Sequence, residues 1–432
     1  MNDTLNKRYL KFVIIALAIL VLFICSFVLL SNFFKDSSGP QIKVNYPNAY
    51  AFDSDKQLNV QKTNPVKDDF STDLTNFSFQ TAAKLLTEHE QINYSPLSLY
   101  YALAMTSTGA AGKTADEFQT LLGQRSNKDL SIECGNLFRQ LYRENKVCKL
   151  KLANSLWMNQ TANQESTIFK TEFVSNAARN FYASSHIVDF SDASAGKAMS
   201  NWISEQTSQQ LSPKIETTDQ QLLALINTVY FKAQWETQFD QSQTTDDTFT
   251  SSDGSTHNCA FMNQALSASF TKGANYLKAS LPLKDNCSMT FVLPNEGTTI
   301  KDLASSPENL SKIFHEKQTH FGNITWKLPK MDFSSSLNLK DMLNSLGLTS
   351  AFKESADFSG MTTTPLFISL VRQDTRIKVD ENGVTASAFT LITMNGSSMP
   401  EEPAEMILDR PFLYAITASN GSILFMGTYN GQ

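Results

Sequence analysis

The stretch Val379-Asp380-Glu381-Asn382-Gly383-Val384-Thr385-Ala386-Ser387-Ala388 opens a segment that sits where a loop belongs yet has the composition of a strand. Between Glu381 and Glu401 no residue is charged, and no proline occurs before Pro400. In an extended chain successive side chains point to opposite sides, so the segment has two faces. Val384, Ala386, Ala388, Thr390, Ile392 and Met394 share one face, and Thr385, Ser387, Phe389, Leu391, Thr393 and Asn395 share the other. The first face is uncharged and small to medium in size, so it can enter a packed sheet. Charge stands only at the flanks, with Lys378, Asp380 and Glu381 before and Glu401 and Glu402 after. On pattern alone an ordinary buried strand accounts for it.

The surrounding chain of 432 residues is 41% hydrophobic and 18% charged, with 36 basic and 42 acidic residues and a net charge of −6. These values exclude a wholly disordered chain and argue against a dedicated nucleic-acid binder, which needs a basic face. Five cysteines and five histidines leave little for a metal cluster or a disulfide scaffold, and neither a metal site nor a cofactor is expected.

From Phe12 to Leu30 the chain runs 19 residues without a charge. As a helix that run spans about 28 Å, close to the roughly 30 Å hydrocarbon core of a bilayer. It is longer than the apolar stretch of a cleavable signal and ends in bulky Phe27, Val28, Leu29 and Leu30 rather than small residues. Lys7, Arg8 and Lys11 precede it, while Lys35 and Asp36 cancel after it. The positive-inside rule then places residues 1–11 in the cytoplasm and the remainder outside, anchored by a single-pass helix at 12–30, with secretion after signal cleavage as the alternative. Residues 31–67 are expected to be a flexible tether: Ser37-Ser38-Gly39-Pro40, Pro47 and Pro65 interrupt any helical or strand period. Fully stretched, residues 35–67 reach about 110 Å. Residues 68–432 contain no second linker and form one large domain, expected to be monomeric.

Within that domain the early part predicts helices over Thr72–Leu86, Leu97–Thr106 and Ala115–Leu122. Ser95-Pro96 is a helix start, a capping hydroxyl followed by proline at the first helical position. Gly109 and Gly112 break that helix, and Thr114-Ala115-Asp116-Glu117 has the form of a capping box. After Leu150 strands predominate: Lys151–Met158, Leu222–Lys232, Tyr276–Pro282, Ser288–Leu293, Asn323–Leu328, Glu405–Leu408, Leu413–Ala418 and Ile423–Tyr429. Helices first and strands after predict an α+β fold with extensive antiparallel sheet.

Enzyme signatures fail one by one. Gly112-Lys113-Thr114 imitates the end of a phosphate-binding loop, but Ser107 stands where that motif needs its first glycine. His315 and His320 are five apart, which on a helix places them about 140° apart rather than on one face. There is no Gly-x-Ser-x-Gly elbow, and nothing nominates a histidine as base for any serine. Cys134, Cys148, Cys259 and Cys287 show no Cys-x-x-Cys spacing, so they are expected to be small core residues or to form one or two incidental disulfides. The chain is not expected to be an enzyme.

The segment quoted at the outset closely resembles the hinge of a serpin. Asp409-Arg410-Pro411-Phe412-Leu413-Tyr414 and Ile423-Leu424-Phe425-Met426-Gly427 resemble that family's C-terminal signature. Asn93-Tyr94-Ser95-Pro96-Leu97-Ser98 resembles its early helix, and Asn227-Thr228-Val229-Tyr230-Phe231-Lys232-Ala233-Gln234-Trp235 and Leu328-Pro329-Lys330-Met331 match further motifs. The likeness runs from about residue 70 to the end and leaves the apolar segment and tether outside. It implies an α+β fold with three sheets and an exposed reactive-centre loop. The implied action is suicide inhibition of serine endopeptidases, in which the cut loop inserts as a new strand of the main sheet while the protease is still acylated.

Carried over residue by residue, the resemblance puts the hinge at Glu381, Gly383, Val384, Thr385, Ala386, Ser387 and Ala388. Val384 stands where inhibitory members often have threonine. Ser95, Ser98 and Asn227 match a polar cluster beneath the strands that must part, Gln373 stands where many relatives have histidine, and Trp235 matches the aromatic residue where insertion begins. The family's loop length places the scissile bond at Ser397-Ser398, with Met394 and Met399 as runners-up. No arginine or lysine lies near, so an elastase-like or subtilisin-like enzyme is expected rather than a trypsin-like one, with a cysteine protease also admitted as target. The competing class is a non-inhibitory serpin acting as a carrier, chaperone or surface-binding module; proline or charge at Val384, Ala386 or Ala388 would favour it, and none is present.

Overall fold

A computed structural model describes residues 46–47, 54–159, 169–318, 320–384 and 403–431. Among these, sixteen strands alternate with helices, the α+β class that the sequence predicts. In chain order they begin with β1 (Ile92–Tyr94), β2 (Arg143–Glu144), β3 (Cys148–Asn159), β4 (Ala183–Val188) and β5 (Leu223–Gln234). Next come β6 (Thr245–Thr250), β7 (Thr256–Lys272), β8 (Tyr276–Leu283), β9 (Cys287–Pro294), β10 (His320–Pro329) and β11 (Met331–Asn338). The last are β12 (Arg372–Asp380), β13 (Gly383–Val384), β14 (Ala404–Ile407), β15 (Phe412–Thr417) and β16 (Ile423–Tyr429).

The main sheet has seven strands in the order β11-β12-β13-β5-β3-β2, with β4 pairing β3. The other hydrogen-bonded network has nine, β1-β16-β15-β9-β8-β7-β10-β14, with β6 on β7. Three separate sheets are thus two networks by hydrogen bonding. The reason is β7, which runs unbroken from its ladder with β6 into its ladder with β8 while pairing β10 along most of its length.

The helix Pro96–Ser107 lies between the two sheets and is buried almost all round. It starts as expected: the Ser95 side chain accepts from the Ser98 N–H, with Pro96 at the first position. The next helix, Gly112–Leu122, corrects the expected capping box. It begins three residues earlier, with Ala111 at its cap. Thr114 Oγ1 instead accepts from the Asp357 N–H at 3.0 Å, and Glu117 accepts from the Thr349 and Ser350 N–H groups at 2.8 and 2.6 Å. Both polar side chains serve distant backbone, which outcompetes a local cap. The two histidines also part: the helix Pro307–His315 ends at His315, and His320 opens β10.

Among the described residues no helix is long and apolar enough to cross a membrane, and the apolar run 12–30 lies outside them. The expected tether is corrected in its second half, because residues 54–63 form a helix whose Val60 is buried. The chain after it is bonded to the helix Asn127–Leu141: the Asn64 carbonyl accepts from Gln140 Nε2 at 2.7 Å, the Pro65 carbonyl from Asn136 Nδ2 at 2.6 Å, and the Lys67 N–H donates to Glu133 at 3.0 Å. Upstream, Tyr46 stacks on Tyr142, Phe138 and Tyr182 with ring centroids 5.7, 6.4 and 6.4 Å away. Composition conceals this docking, since the apolar side chains that anchor it are few and widely spaced.

Burial pushes the Tyr46 phenol up to about 12, with the nearby Tyr142 adding to the effect. Tyr46→Ala removes three ring contacts from a partly buried site and is expected to destabilise the domain by about 1–2 kcal/mol. Denaturant unfolding checks this; an unchanged midpoint would show that this segment does not support the fold.

Candidate functional site

The hinge is a two-residue strand held on both sides. Val384 pairs with Val379 of β12 and with Ala233 of β5, and Gly383 pairs with Asp380 and Gln234. Gly383 is required here for two reasons. Its φ of +148° is one that other residues rarely adopt, and a Cβ would meet the Ala233 carbonyl oxygen at 2.3 Å. Val384 is buried against the core, so the valine in place of threonine leaves no hydroxyl to satisfy.

Trp235 clamps the turn that precedes the hinge. Its indole N–H donates to the Asp380 carbonyl at 2.9 Å and its backbone N–H to the Asn382 carbonyl at 3.0 Å, with the ring fully buried. Glu381 is fixed by charge: Lys330 Nζ donates to both carboxylate oxygens at 3.1 and 3.0 Å, and Thr244 Oγ1 donates to one at 2.9 Å. Burial acts to raise its pKa, but backbone and Lys330 hydrogen bonds outweigh this and hold the carboxyl below its usual range.

Beneath the hinge the predicted polar residues come together at the start of the helix Pro96–Ser107. Gln373 on β12 brackets Ser95: its Oε1 accepts from the Ser95 N–H at 2.8 Å, and its Nε2 donates to the Ser95 carbonyl at 2.9 Å. The Ser95 hydroxyl donates to the Leu424 carbonyl at 2.7 Å. From the β5 side, Asn227 Oδ1 accepts from the Ser98 hydroxyl, and Asn227 Nδ2 donates to Asn154 Oδ1 at 2.5 Å. Asn154 passes the chain on, donating to the Phe181 carbonyl at 2.5 Å, while the Thr375 hydroxyl donates to the Asn93 carbonyl at 2.8 Å. Asn154, Thr375 and Lys330 were not predicted. Asn154 and Thr375 belong to strands whose sequence gives no sign of which polar residues face inward to meet, and Lys330 looks like an ordinary strand-end cation.

Between these two polar anchors lies a gap. β5 and β12 run parallel to each other and are joined only through β13; below Val384 neither has a ladder partner on the facing edge among the described residues. The cavity between them is lined by Val229, Phe231, Thr375, Ile377 and Val384. The structure therefore brings Glu381, Gly383, Val384, Trp235, Ser95, Ser98, Asn227 and Gln373 into one connected region. Thr385, Ala386, Ser387, Ala388, Met394, Ser397, Ser398 and Met399 lie outside the described residues.

A sheet held open beside an anchored hinge agrees with what comparison with known proteins finds. The family model described as serpin (serine protease inhibitor) matches residues 72–431. The chain belongs to the serpin family. It is 31% identical to the leukocyte elastase inhibitor of Xenopus laevis over 382 residues, covering 84% of this chain and 99% of that protein. The thermophilic serpin tengpin in its native state superposes with a TM-score of 0.74 at 26% identity, covering 90% of this chain and 98% of tengpin. Thyroxine-binding globulin in complex with thyroxine superposes with a TM-score of 0.72 at 25% identity, covering 84% and 99%. The serpin fold and the resemblance noted in the sequence are thus established, and these similar proteins include one named an elastase inhibitor and one named a thyroxine-binding globulin.

The Glu381 contacts make the hinge sensitive to acid. Its folded-state pKa is lowered from 4.5, so its stabilisation is fully present above the unfolded value and is lost as pH falls through the folded one. Glu381→Gln is expected to cost about 1–3 kcal/mol at neutral pH and to flatten the fall in stability from about pH 5 to pH 3. Thermal melts of both proteins across that range check the sign; parallel curves would show that Glu381 does not contribute to it.

Proposed function

We propose that this serpin is a suicide-substrate inhibitor of serine endopeptidases that traps the acyl-enzyme by inserting its cleaved loop between β5 and β12. The observation that carries this reading is the register of the hinge. Extending the Val384 pairs with Ala233 and Val379 puts Ala386 opposite Phe231 and Ile377, Ala388 opposite Val229 and Thr375, and Thr390 opposite Asn227 and Gln373. Val379, Ile377, Ala233 and Phe231 are buried, so this face of the inserted loop would enter the core. Ala386 and Ala388 on it are small, and Thr390 brings a hydroxyl to the polar cluster. Phe389, the bulky exception, would point to the opposite side. The chain would gain two edges of backbone hydrogen bonds and bury an apolar face, a gain available only after the cut frees one end.

The loop lacks arginine and lysine, and a scissile bond at Ser397-Ser398 suits elastase-like or subtilisin-like proteases, with Met394 and Met399 as alternative sites and cysteine proteases as a further target class. The Xenopus relative's name is in keeping with that preference. A non-inhibitory carrier is the competing reading, favoured by the thyroxine-binding neighbour; the uncharged, proline-free positions Val384, Ala386 and Ala388 argue against it. For the N-terminal region the reading is a single-pass anchor at 12–30 with the serpin domain outside the cytoplasm, secretion being the alternative. The inhibitor would act as a monomer, without cofactor or nucleic acid.

Incubated with an elastase-like protease, the protein is expected to form a denaturant-resistant adduct, and the loop-cleaved form is expected to melt at a higher temperature than the intact one. Ala388→Asp places an unpaired carboxylate on the inserting face, where burial costs at least several kcal/mol. That variant should be cleaved without trapping, whereas Ser397→Arg should keep trapping and redirect it to trypsin-like enzymes. Gel electrophoresis gives the ratio of adduct to cleaved product; if Ala388→Asp traps as well as the parent protein, loop insertion is not the mechanism.

A further inference from the structure

Cys134, Cys148, Cys259 and Cys287 are buried free thiols, and two of them meet at the end of the main sheet where the hinge enters. Cys148, the first residue of β3, pairs with Ala233, which pairs on its other side with Val384. Cys148, Ala233, Val384 and Val379 thus form one row across four strands. Cys287 is the first residue of β9, in the other sheet, and pairs with Leu283, itself bridged to Trp235. The Cys148 and Cys287 thiols are neighbours, and the Cys287 thiol donates weakly to the Asp285 carbonyl at 3.9 Å.

The turns that carry them are tied together. Asn145 Oδ1 accepts from the Val147 and Cys148 N–H groups at 3.0 and 2.8 Å, and its Nδ2 donates to Asp285 Oδ2 at 2.7 Å. Asp285 and Asn286 both have left-handed φ, 63° and 56°, which turns the chain tightly before Cys287. The other Asp285 oxygen is buried without a hydrogen-bond partner, and the carboxylate lies beside the Cys148 thiol. The remaining cysteines are separate: the Tyr101 hydroxyl donates to the Cys134 carbonyl, and Cys259 lies against Tyr429.

We propose that Cys148 and Cys287 are a redox site whose reversible disulfide brakes loop insertion. The brake rests on the inhibitory reading above. Opening the gap moves β5, with β3 and β4 bonded to it, away from β12, and Thr375 on β12 is bonded to the Asn93 carbonyl of β1 in the other network. The end of β5 is held to the other network by hydrogen bonds, the Trp235–Leu283 bridge and the Glu236 N–H donating to the Pro282 carbonyl at 2.8 Å. A covalent link from β3 to β9 beside them makes that junction permanent, so the β5 side can no longer shift against the other network. The oxidant is a small-molecule disulfide. Cys287, the less buried of the two thiols, loses its proton and attacks one sulfur of that disulfide, expelling the first thiol. Cys148 then gives its proton to the neighbouring carboxylate and attacks the Cys287 sulfur, expelling the second thiolate, which takes that proton to leave as a thiol. Two cysteines are oxidised to one disulfide and the oxidant is reduced to two thiols. The adjoining sulfur and burial raise the Cys148 thiol well above its ordinary pKa, so the second step is slow and an open neighbouring carboxylate is useful there.

The test uses the full chain in detergent, equilibrated with oxidised glutathione or with reduced dithiothreitol. Non-reducing digestion of the oxidised sample is expected to give a cross-linked peptide joining Cys148 and Cys287, two hydrogens lighter than the sum of its parts. The ratio of trapped to cleaved product with an elastase-like protease is expected to fall several-fold on oxidation and recover on reduction, and Cys148→Ala and Cys287→Ala should each abolish that dependence. Absence of the linked peptide overturns the site. A linked peptide with an unchanged ratio, or a redox dependence that survives in Cys287→Ala, overturns the brake. If the reduced protein traps no protease the inhibitory reading fails and the brake with it, while the linked peptide still establishes or refutes the disulfide.

Discussion

Two residues, Gly383 and Val384, keep the main sheet as it is. Bonded to β12 on one side and β5 on the other, they hold those strands two strand spacings apart, about 9–10 Å, at the level of the hinge. Three features of the site serve this short wedge. Gly383 allows the backbone to approach Ala233 more closely than any Cβ would permit. Trp235 fastens the turn before the wedge through two carbonyls, and Glu381 anchors that turn to Lys330 and Thr244. A wedge of two residues has few hydrogen bonds of its own, so these side chains carry its stability.

The polar cluster below plays a different part. Ser95 and Ser98 sit one turn apart at the start of the central helix, and each is bonded to a different side of the gap, Ser95 to Gln373 on β12 and Ser98 to Asn227 on β5. The helix start thereby spans the gap where the strands do not touch. Separating β5 from β12 further must break or stretch one of these connections, and a buried polar group left without a partner costs about 1–3 kcal/mol. Gln373 meets this demand with an amide that both donates and accepts and does not titrate, so the cluster does not respond to pH through this residue.

Much of this was legible in the sequence, and the misses have definite causes. Ser95-Pro96 announced its helix because both signals act locally. The strands β3, β5, β8, β9, β10, β15 and β16 were legible because their apolar residues alternate or run together. β7 was missed: Thr256–Lys272 is rich in alanine, serine and asparagine, and is a strand because β6, β8 and β10 pair with it. Thr114 and Glu117 have the spacing of a capping box but bond to residues 357 and 349–350, which no local rule could supply. The hinge was legible only through family likeness; its pattern alone describes a buried strand, and that is what it would become after insertion.

The ends of the loop explain why insertion would wait for a cut. Val384 is fixed in the main sheet, and Ala404 is fixed where β14 begins its parallel pairing with β10 at Ile324. Filling the gap beside β5 from Lys232 to Leu223 requires residues 385 to 394, a descent of about 33 Å at strand rise. Residues 395 to 403 would then have to link residue 394, at the far end of the gap, back to Ala404, ten steps that reach at most about 33–36 Å when fully extended. An intact chain could insert fully only by stretching to its limit or by pulling β14 off β10 at the cost of that ladder. A cut near Ser397 removes the return path altogether. On the inhibitory reading, chain connectivity would hold this strand pairing back until a protease breaks the chain.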